Sequence, residues 1–213
     1  MNHKENNITL INPQSIIIDE TVIIGKNVII HPNNILKGST IIEDNVELKP
    51  GNYILDSTVK SHAKIEYSYI EKSVVGENSI VGPYAHIRPN SNIGNNCRVG
   101  NFVEIKNSCL GDGTKASHLA YIGDAVVGKN CNIGCGAIFV NYNGKAKNKT
   151  VVGERCFIGS NVNVIAPVNI ADDSYICAGT TITVDTSPKD FVIGRAREVI
   201  KKNYSDKFKK ENR

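Results

Sequence analysis

The middle of the chain concentrates polar side chains that suit acid–base chemistry on an anionic molecule. His118 stands in the stretch KASHLAYIGDA, residues 115–125, among small and aliphatic residues. An imidazole titrates near neutral pH and can therefore remove a proton from a substrate. Cationic and amide side chains beside it would bind a negatively charged group. The polar residues concentrated here are Arg88, Lys106, His118, Tyr121, Asn132, Asn141, Tyr142 and Lys147.

Neither the five histidines nor the six cysteines are spaced as metal ligands. A γ-class carbonic anhydrase needs a second histidine five residues after one ligand, but the residue at that distance from His118 is Gly123. The only close cysteine pair, Cys131 and Cys135, has no second pair at the spacing of a zinc site. We therefore expect no metal, and we interpret most of the cysteines as small structural residues.

The elements that position these residues follow from an aliphatic repeat of period six. Six is three strand periods of two, whereas no helix keeps one face at that period, so the pattern predicts short strands joined by turns. The repeating positions are Ile18, Ile24, Ile30, Leu36, Ile42, Leu48, Ile54, Val59, Val75, Val81, Ile87, Ile93, Val99, Ile105, Leu110, Ala116, Ile122, Val127, Ile133, Phe139, Val152, Ile158, Val164, Ile170, Ile176 and Ile182.

Three such hexads form one triangular coil, which predicts an all-β parallel β-helix. Eleven of the 18 glycines directly follow a repeating aliphatic, where we expect a backbone that needs conformational freedom. The repeat predicts an N-terminal lead-in over 1–17 and a solenoid domain over 18–184, with a projecting loop at 140–151. Residues 185–213 are predicted to form a turn, a short helix from about Ala196 and a basic tail.

Composition excludes several classes of function. The net charge is only +4 and aromatic residues are 6% of the chain, which does not favour a nucleic-acid surface. No run of about 20 apolar residues could span a membrane, and the N-terminus lacks an apolar core of signal-peptide length. We expect a cytoplasmic protein. Much of the excess positive charge lies in the tail, at Lys201, Lys202, Lys207, Lys209, Lys210 and Arg213.

A more specific resemblance runs in order from about residue 8 to residue 204. Its motifs are IRPNSNIG, VGNFVEIKNS, KASHLAYIGDA, NIGCG, VNYNG, FIGSNVNVIAPV and ICAGTTIT. They closely resemble the acetyltransferase half of the bacterial bifunctional N-acetylglucosamine-1-phosphate uridyltransferase/glucosamine-1-phosphate N-acetyltransferase. The resemblance implies a left-handed β-helix and a homotrimer with active sites between subunits. It also implies acetyl transfer from acetyl-CoA to the 2-amino group of glucosamine 1-phosphate, a step towards UDP-N-acetylglucosamine and cell-wall precursors.

The resemblance also implies roles for individual residues. His118 matches the base, Asn141 lies by the amine, and the backbone N–H of Cys135 would face the thioester oxygen. Sugar-phosphate contacts fall on Arg88, Lys106, Tyr121, Asn132 and Lys147, the last reaching in from a neighbouring chain. Acetyl-CoA contacts fall on Tyr142, Ser160, Ala178 and Arg195. By itself the sequence suggests no neighbour for His118, so we expect its ring to point outward into a cleft between subunits.

Two features depart from the family. Asn143 replaces the aspartate of the usual Asn-Tyr-Asp-Gly and removes a carboxylate near the site. The glycine-rich phosphate loop of the uridyltransferase domain has no counterpart in this sequence, so we expect no uridyltransferase activity and a separate chain for that step. Two alternatives stay open: an acetyltransferase for another amino-sugar phosphate or nucleotide sugar, and a catalytically silent assembly protein. Joint retention of His118, Asn141 and Arg195 argues against the second.

Overall fold

The chain coils into a triangular prism of short strands. The computed structural model describes residues 6–208 and contains about ten turns of a left-handed parallel β-helix, which confirms the predicted fold class. Each strand pairs in parallel with the strand one coil away, for example Ile30 with Leu48 and Ile24 with Ile42. The three faces are called first, second and third in chain order.

The strands divide by face as follows. The first face holds Thr9–Leu10, Ile29–Ile30, Glu47–Leu48, Lys64–Ile65, Ile80–Val81, Asn132–Ile133, Phe157–Ile158, Tyr175–Ile176 and Phe191–Val192. The second holds Ile17–Ile18, Ile35–Lys37, Tyr53–Leu55, Tyr69–Glu71, His86–Ile87, Ile138–Val140, Asn163–Ile165 and Thr181–Ile182. Two longer strands, Arg98–Lys106 and Lys115–Gly123, continue from the first face onto the second. The third face holds Ile23–Ile24, Ile41–Ile42, Thr58–Val59, Val74–Val75, Asn92–Ile93, Cys109–Leu110, Ala125–Val127, Thr150–Val152 and Val168–Ile170.

The repeating aliphatics point inward and form one continuous core. From Ile24 to Ile182 every predicted position of the ladder is buried, and Phe139 is the largest side chain among the fully buried ones. Ile65 and Ile70 also occupy inward positions that the predicted ladder lacks: Ile65 follows Val59 by the regular six residues, whereas the steps from Ile65 to Ile70 and from Ile70 to Val75 have five. Since the core fixes the coils, outward side chains hold defined positions on the faces and edges.

The glycines after the aliphatics serve a different purpose from the one predicted. Among the eleven, only Gly82 has a positive φ. Elsewhere the neighbouring coil is too close for a side chain: a Cβ on Gly134 would lie 2.6 Å from the carbonyl carbon of Gly159. The left-handed conformation falls two residues later, for example at Asn96 and Asn130, and asparagine tolerates it well. These glycines therefore permit close stacking of coils.

Both ends of the solenoid extend past the predicted limits. Thr9–Leu10 pairs with Ile29–Ile30, so strand pairing starts inside the expected lead-in, and a 3-10 helix follows at Pro13–Ser15. Phe191–Val192 pairs with Tyr175–Ile176, beyond residue 184.

The helix expected from about Ala196 is wrong in its start and type, since a 3-10 helix spans Tyr204–Phe208. Val199 and Ile200 are more than 80% exposed, so the segment lacks the packing that stabilises a short α-helix. The tail residues Lys209, Lys210 and Arg213 lie outside the described residues. Within 6–208, no helix is long and apolar enough to cross a membrane.

Candidate active site

Five of the predicted site residues gather along one edge of the prism. The edge between the first and second faces, here the 1–2 edge, stacks one outward residue per coil through strand pairs such as Asn101 with His118. The following strands pair Ala116 with Ile133, Ile133 with Ile158 and Ile158 with Ile176. The residues two positions after these partners therefore continue the stack, and they are Cys135, Ser160 and Ala178. Arg195 joins it, since its Nη1 donates to the Ala178 carbonyl at 2.8 Å. Three coil steps of about 4.8 Å place Ala178 about 14 Å from His118, which suits an extended ligand.

His118 is exposed on this edge, and its neighbour is Asn101. His118 Nδ1 lies 3.0 Å from Asn101 Oδ1, one coil away. Because an amide oxygen only accepts, this contact places the proton on Nδ1 and leaves Nε2 with a free lone pair towards solvent. The ring is exposed, as expected, but it has a neighbour that the sequence did not suggest, because a coil offset of 17 residues places Asn101 beside it. The imidazole is oriented as a base should be.

Cys135 follows His118 by one coil and is an exposed free cysteine. Its backbone N–H has no protein acceptor among residues 6–208. An unused backbone N–H at an exposed edge can stabilise an oxyanion. The placement is compatible with the role implied for Cys135.

The second face carries the cationic residues beside this edge. Arg88 donates from Nη1 to Glu104 Oε1 at 2.7 Å, and this hydrogen bond raises the pKa of Arg88 above its ordinary value. The sequence interpretation missed Glu104, which follows Arg88 by 16 residues. Arg88 is thus held in place on the second face, with part of its charge already balanced.

Lys106 and Lys147 lie against one another. The Lys147 ammonium is the main cause that lowers the pKa of Lys106, followed by desolvation and the positive charge of Arg88. We expect Lys147 to reach a neighbouring chain's site; within its own chain it lies close enough to Lys106 to lower the pKa of that residue. The loop folds back because Tyr142 bridges to Lys147 and Asn148 N–H donates to the Asn141 carbonyl at 2.7 Å.

Asn141 opens this loop at the edge between the second and third faces, here the 2–3 edge. It is buried, and its Nδ2 donates to Asp124 Oδ2 and, weakly, to the Tyr121 hydroxyl at 3.4 Å. A Cβ on Gly123 would lie 2.5 Å from that hydroxyl and 2.8 Å from Asn141 Nδ2. Only glycine leaves room for both side chains. Tyr121 and Asn141 therefore form one packed unit.

The loop itself is ordered by Asn143. Its Oδ1 accepts from the N–H groups of Lys145 at 3.0 Å and Ala146 at 2.8 Å. An aspartate could accept the same two bonds, so the replacement of the family's carboxylate leaves the turn intact. Tyr142 is exposed, and its hydroxyl donates to the Gly144 carbonyl at 2.8 Å.

Asn132 lies apart from the other predicted substrate contacts. It belongs to a first-face strand, where it pairs with Lys115 and Phe157 and is exposed. Lys106 and Tyr121 lie at second-face positions of the long strands. The structure therefore brings Arg88, Lys106, Tyr121, Asn141 and Lys147 together in one chain, but not Asn132.

Asp124 is a further residue that the sequence interpretation missed. Burial alone would raise its pKa, but hydrogen bonds from Asn107 and Asn141, and the charges of Lys147 and Lys106, hold that pKa below its ordinary value. It lies one coil of 17 residues before Asn141, so the repeat length could have identified it. Among residues 6–208, no three histidine, cysteine, aspartate or glutamate side chains converge to hold a metal ion.

Comparison with known proteins places two family models on the chain. Residues 70–142 match the GMPPB C-terminal domain, and residues 149–183 match the bacterial transferase hexapeptide (six repeats). The bifunctional protein GlmU of Clostridium novyi is 48% identical over 197 residues, which are 92% of this chain and 43% of that protein. The GlmU of Caldanaerobacter subterraneus is 46% identical over 99% of this chain and 46% of its own length. The chain therefore spans less than half the length of these relatives.

Among solved structures, the UDP-N-acetylglucosamine acyltransferase of Francisella novicida aligns with a TM-score of 0.63 at 17% identity. The alignment covers 87% of this chain and 67% of the Francisella chain. The corresponding Arabidopsis acyltransferase aligns with a TM-score of 0.52 at 19% identity, over 86% and 71% of the two chains. At these identities the likeness concerns the fold.

Proposed function

The chain is a hexapeptide-repeat protein homologous to the acetyltransferase part of bifunctional GlmU proteins, and on that premise we propose that it is an acetyl-CoA-dependent N-acetyltransferase. Its acceptor in this proposal is the 2-amino group of glucosamine 1-phosphate, and its product is N-acetylglucosamine 1-phosphate. The cytoplasmic location and the independence from metal remain predictions.

The main support for the proposal is the position of the free His118 Nε2. It lies where the 1–2 edge, which is long enough for an extended ligand, meets the second face with its cationic side chains. His118 and Tyr121 belong to the same strand, Lys115–Gly123. The 1–2 edge leads from His118 through Cys135 and Ser160 to Arg195, so acetyl-CoA would lie along it with its phosphates near the guanidinium. The second face leads from Tyr121 to Lys106, where the phosphate of an amino sugar would bind.

The chemistry follows from these positions. An alkylammonium cannot attack a thioester, so His118 Nε2 accepts a proton from the amino group. The amine nitrogen then bonds to the thioester carbon, and the resulting oxyanion accepts a hydrogen bond from the Cys135 N–H. When the C–S bond breaks, the sulfur of CoA leaves as thiolate and takes up the proton that His118 holds. The nitrogen of the tetrahedral intermediate gives its second proton to solvent, so the ammonium loses two protons in all: one reaches the thiol through His118, and one is released.

The electrostatics of the second face favour a phosphate. Lys106 and Lys147 repel one another in the free protein, as the lowered pKa of Lys106 indicates. A phosphate dianion between the two ammonium groups would replace this repulsion by two charge-assisted hydrogen bonds. Arg88, already oriented by Glu104, could contribute a third.

The proposed active unit is a homotrimer whose sites lie between chains. A substrate that touches both Asn132 on the first face and Lys106 on the second would need two chains to supply them. The 1–2 edge also exposes Phe102 and Leu119, both at positive φ, at 60% and 57% of their surface. Large apolar side chains in a disfavoured conformation at a solvent-facing edge suit burial against another copy.

The proposal is tested by measuring thiol release from acetyl-CoA with the purified chain. Glucosamine 1-phosphate should be the best acceptor in a panel that includes unphosphorylated glucosamine, glucosamine 6-phosphate and a nucleotide-linked amino sugar. A better rate with another amino sugar would redirect the proposal to that acceptor. No release with any acceptor would favour the assembly protein instead.

A further inference from the structure

A file of three side chains on the 2–3 edge determines how Asn141 presents its amide. Asn107, Asp124 and Asn141 are stacked one coil apart, at intervals of 17 residues. Asn107 Nδ2 donates to Asp124 Oδ1 at 2.6 Å, and Asn141 Nδ2 donates to Asp124 Oδ2. Each carboxylate oxygen thus accepts from one amide.

This contact allows only one orientation of the Asn141 amide. An ionised carboxylate cannot donate, so the side of the amide that faces Asp124 must be its NH₂ group. Asn141 Oδ1 is then directed away from the file. Among residues 6–208 no protein group donates to it, and it does not belong to the buried polar atoms that lack a partner. The oxygen is consequently an accessible, unused acceptor in a residue that is only 7% exposed.

The carboxylate is well suited to keep this orientation. Burial opposes its ionisation, but the amides of Asn107 and Asn141 and the nearby ammonium groups outweigh burial and lower the pKa of Asp124. It therefore stays an acceptor at neutral pH. An asparagine at 124 would present an acceptor oxygen on only one side, so its own NH₂ group would face one of the two neighbouring amides.

We propose that Asp124 is a positioning residue of the acetyl transfer: it holds Asn141 so that Oδ1 accepts a hydrogen bond from the substrate's amino group and aims the lone pair of the amine at the thioester. Because His118 and Asn141 lie on opposite edges of the second face, Asn141 of one chain serves the His118 and acetyl-CoA of a neighbouring chain in the proposed trimer. This inference rests on the proposed function. Asp124 does not touch the reacting atoms in this proposal; it acts through Asn141 alone. A misplaced amine loses the near-attack geometry, which typically lowers a rate by about 100-fold per ångström.

The test compares Asp124→Ala and Asp124→Asn in the parent and in an Asn141→Ala background, with kcat and both KM values from thiol release. Asp124→Ala should lower kcat about 10- to 100-fold and leave the KM for acetyl-CoA unchanged. Asp124→Asn should lose less, because its amide oxygen can still accept from Asn141 while its NH₂ donates to a reoriented Asn107. In the Asn141→Ala background, Asp124→Ala should have no further effect on kcat.

Asp112→Ala is the matched control. Asp112 also accepts an inter-coil bond, from Asn95 N–H at 2.8 Å, but on the edge between the third and first faces. The inference is overturned if Asp112→Ala lowers kcat equally, if Asp124→Ala lowers kcat as strongly without Asn141 as with it, or if both Asp124 variants keep the parental kcat. An inactive parent would refute the proposed function instead. A crystal structure of Asp124→Ala would then decide the orientation claim, because an unmoved Asn141 amide contradicts it.

Discussion

At the scale of single residues, the proposed chemistry depends on which nitrogen of His118 carries the proton. The contact with Asn101 Oδ1 places it on Nδ1 and frees Nε2. Partners of this kind commonly orient a functional imidazole, and their loss weakens the site about 10- to 100-fold in metal sites, where such effects have been measured. Asn101 thus orients the His118 ring in the proposed mechanism, although it is neither charged nor buried.

Asn101→Ala should therefore lower kcat about 10-fold and leave thermal stability nearly unchanged, because the lost bond is exposed and only orients His118. Steady-state thiol release and a melting curve measure the two quantities. Asn163→Ala provides a control, since it removes another inter-coil side-chain bond, to Thr181 Oγ1 at 3.3 Å. Equal kcat values for the Asn101 variant and the parent would show that the ring needs no partner.

At the scale of elements, the loop after Asn141 brings a second ammonium group to Lys106. The pKa of Lys106 is lowered in the folded chain, so its protonated form is disfavoured there. This opposes folding at every pH below the lowered value, and the penalty disappears as pH rises past the ordinary value of 10.5. In the proposed site, the loop therefore lowers the stability of the free protein slightly and gains affinity for the substrate's phosphate.

Lys147→Met should raise the melting temperature of the ligand-free protein at neutral pH by about 1 °C, since Lys147 is exposed, Lys106 is only half-buried and solvent screens their repulsion. The same change should raise the KM for the sugar phosphate about 10-fold through loss of a charge-assisted bond. Lys145→Met, in the same loop, should change neither. A lower melting temperature together with an unchanged KM would contradict the account of this loop.

At the scale of the whole molecule, the 1–2 edge carries a column of large exposed side chains. Tyr67, Tyr84, Phe102 and Leu119 all have positive φ. The first three also stack ring on ring, at centroid distances of 5.6 Å and 5.7 Å. At most other corners of this kind the residue is asparagine or glycine, which adopt that conformation more readily. The departure is explained if the column packs against other copies.

Phe102→Asp should accordingly convert the proposed trimer into smaller species in sedimentation at micromolar concentration. Ile23→Asp is the matched control: its side chain is 59% exposed, against 60% for Phe102, but lies on the third face. A parent that sediments as a stable monomer would remove the shared-site proposal. An unchanged trimer in the Phe102 variant would place the interface elsewhere.

The sequence predicted the fold because one periodic signal, the aliphatic ladder, records both the strands and the core. It failed where the period does not apply. The five-residue steps from Ile65 to Ile70 and from Ile70 to Val75 interrupt the period, and the chain after Val192 has no ladder to indicate its structure. The same arithmetic would have found Asn101 and Asp124, since each lies one coil from a residue already chosen. The position of Lys147 could not be predicted in this way, because it depends on hydrogen bonds within a loop that lies outside the repeat.

The central claim is that His118 is the base of an acetyl transfer, and the rate of thiol release by His118→Ala measures it most directly. The kcat of this variant should lie about 10²- to 10⁴-fold below that of the parent, with acetyl-CoA still bound and the assembly intact. The residual rate should rise with pH, because free amine accumulates without the help of a base. A rate within a few-fold of the parent, or a variant that unfolds, would show that His118 is structural and would contradict this mechanism.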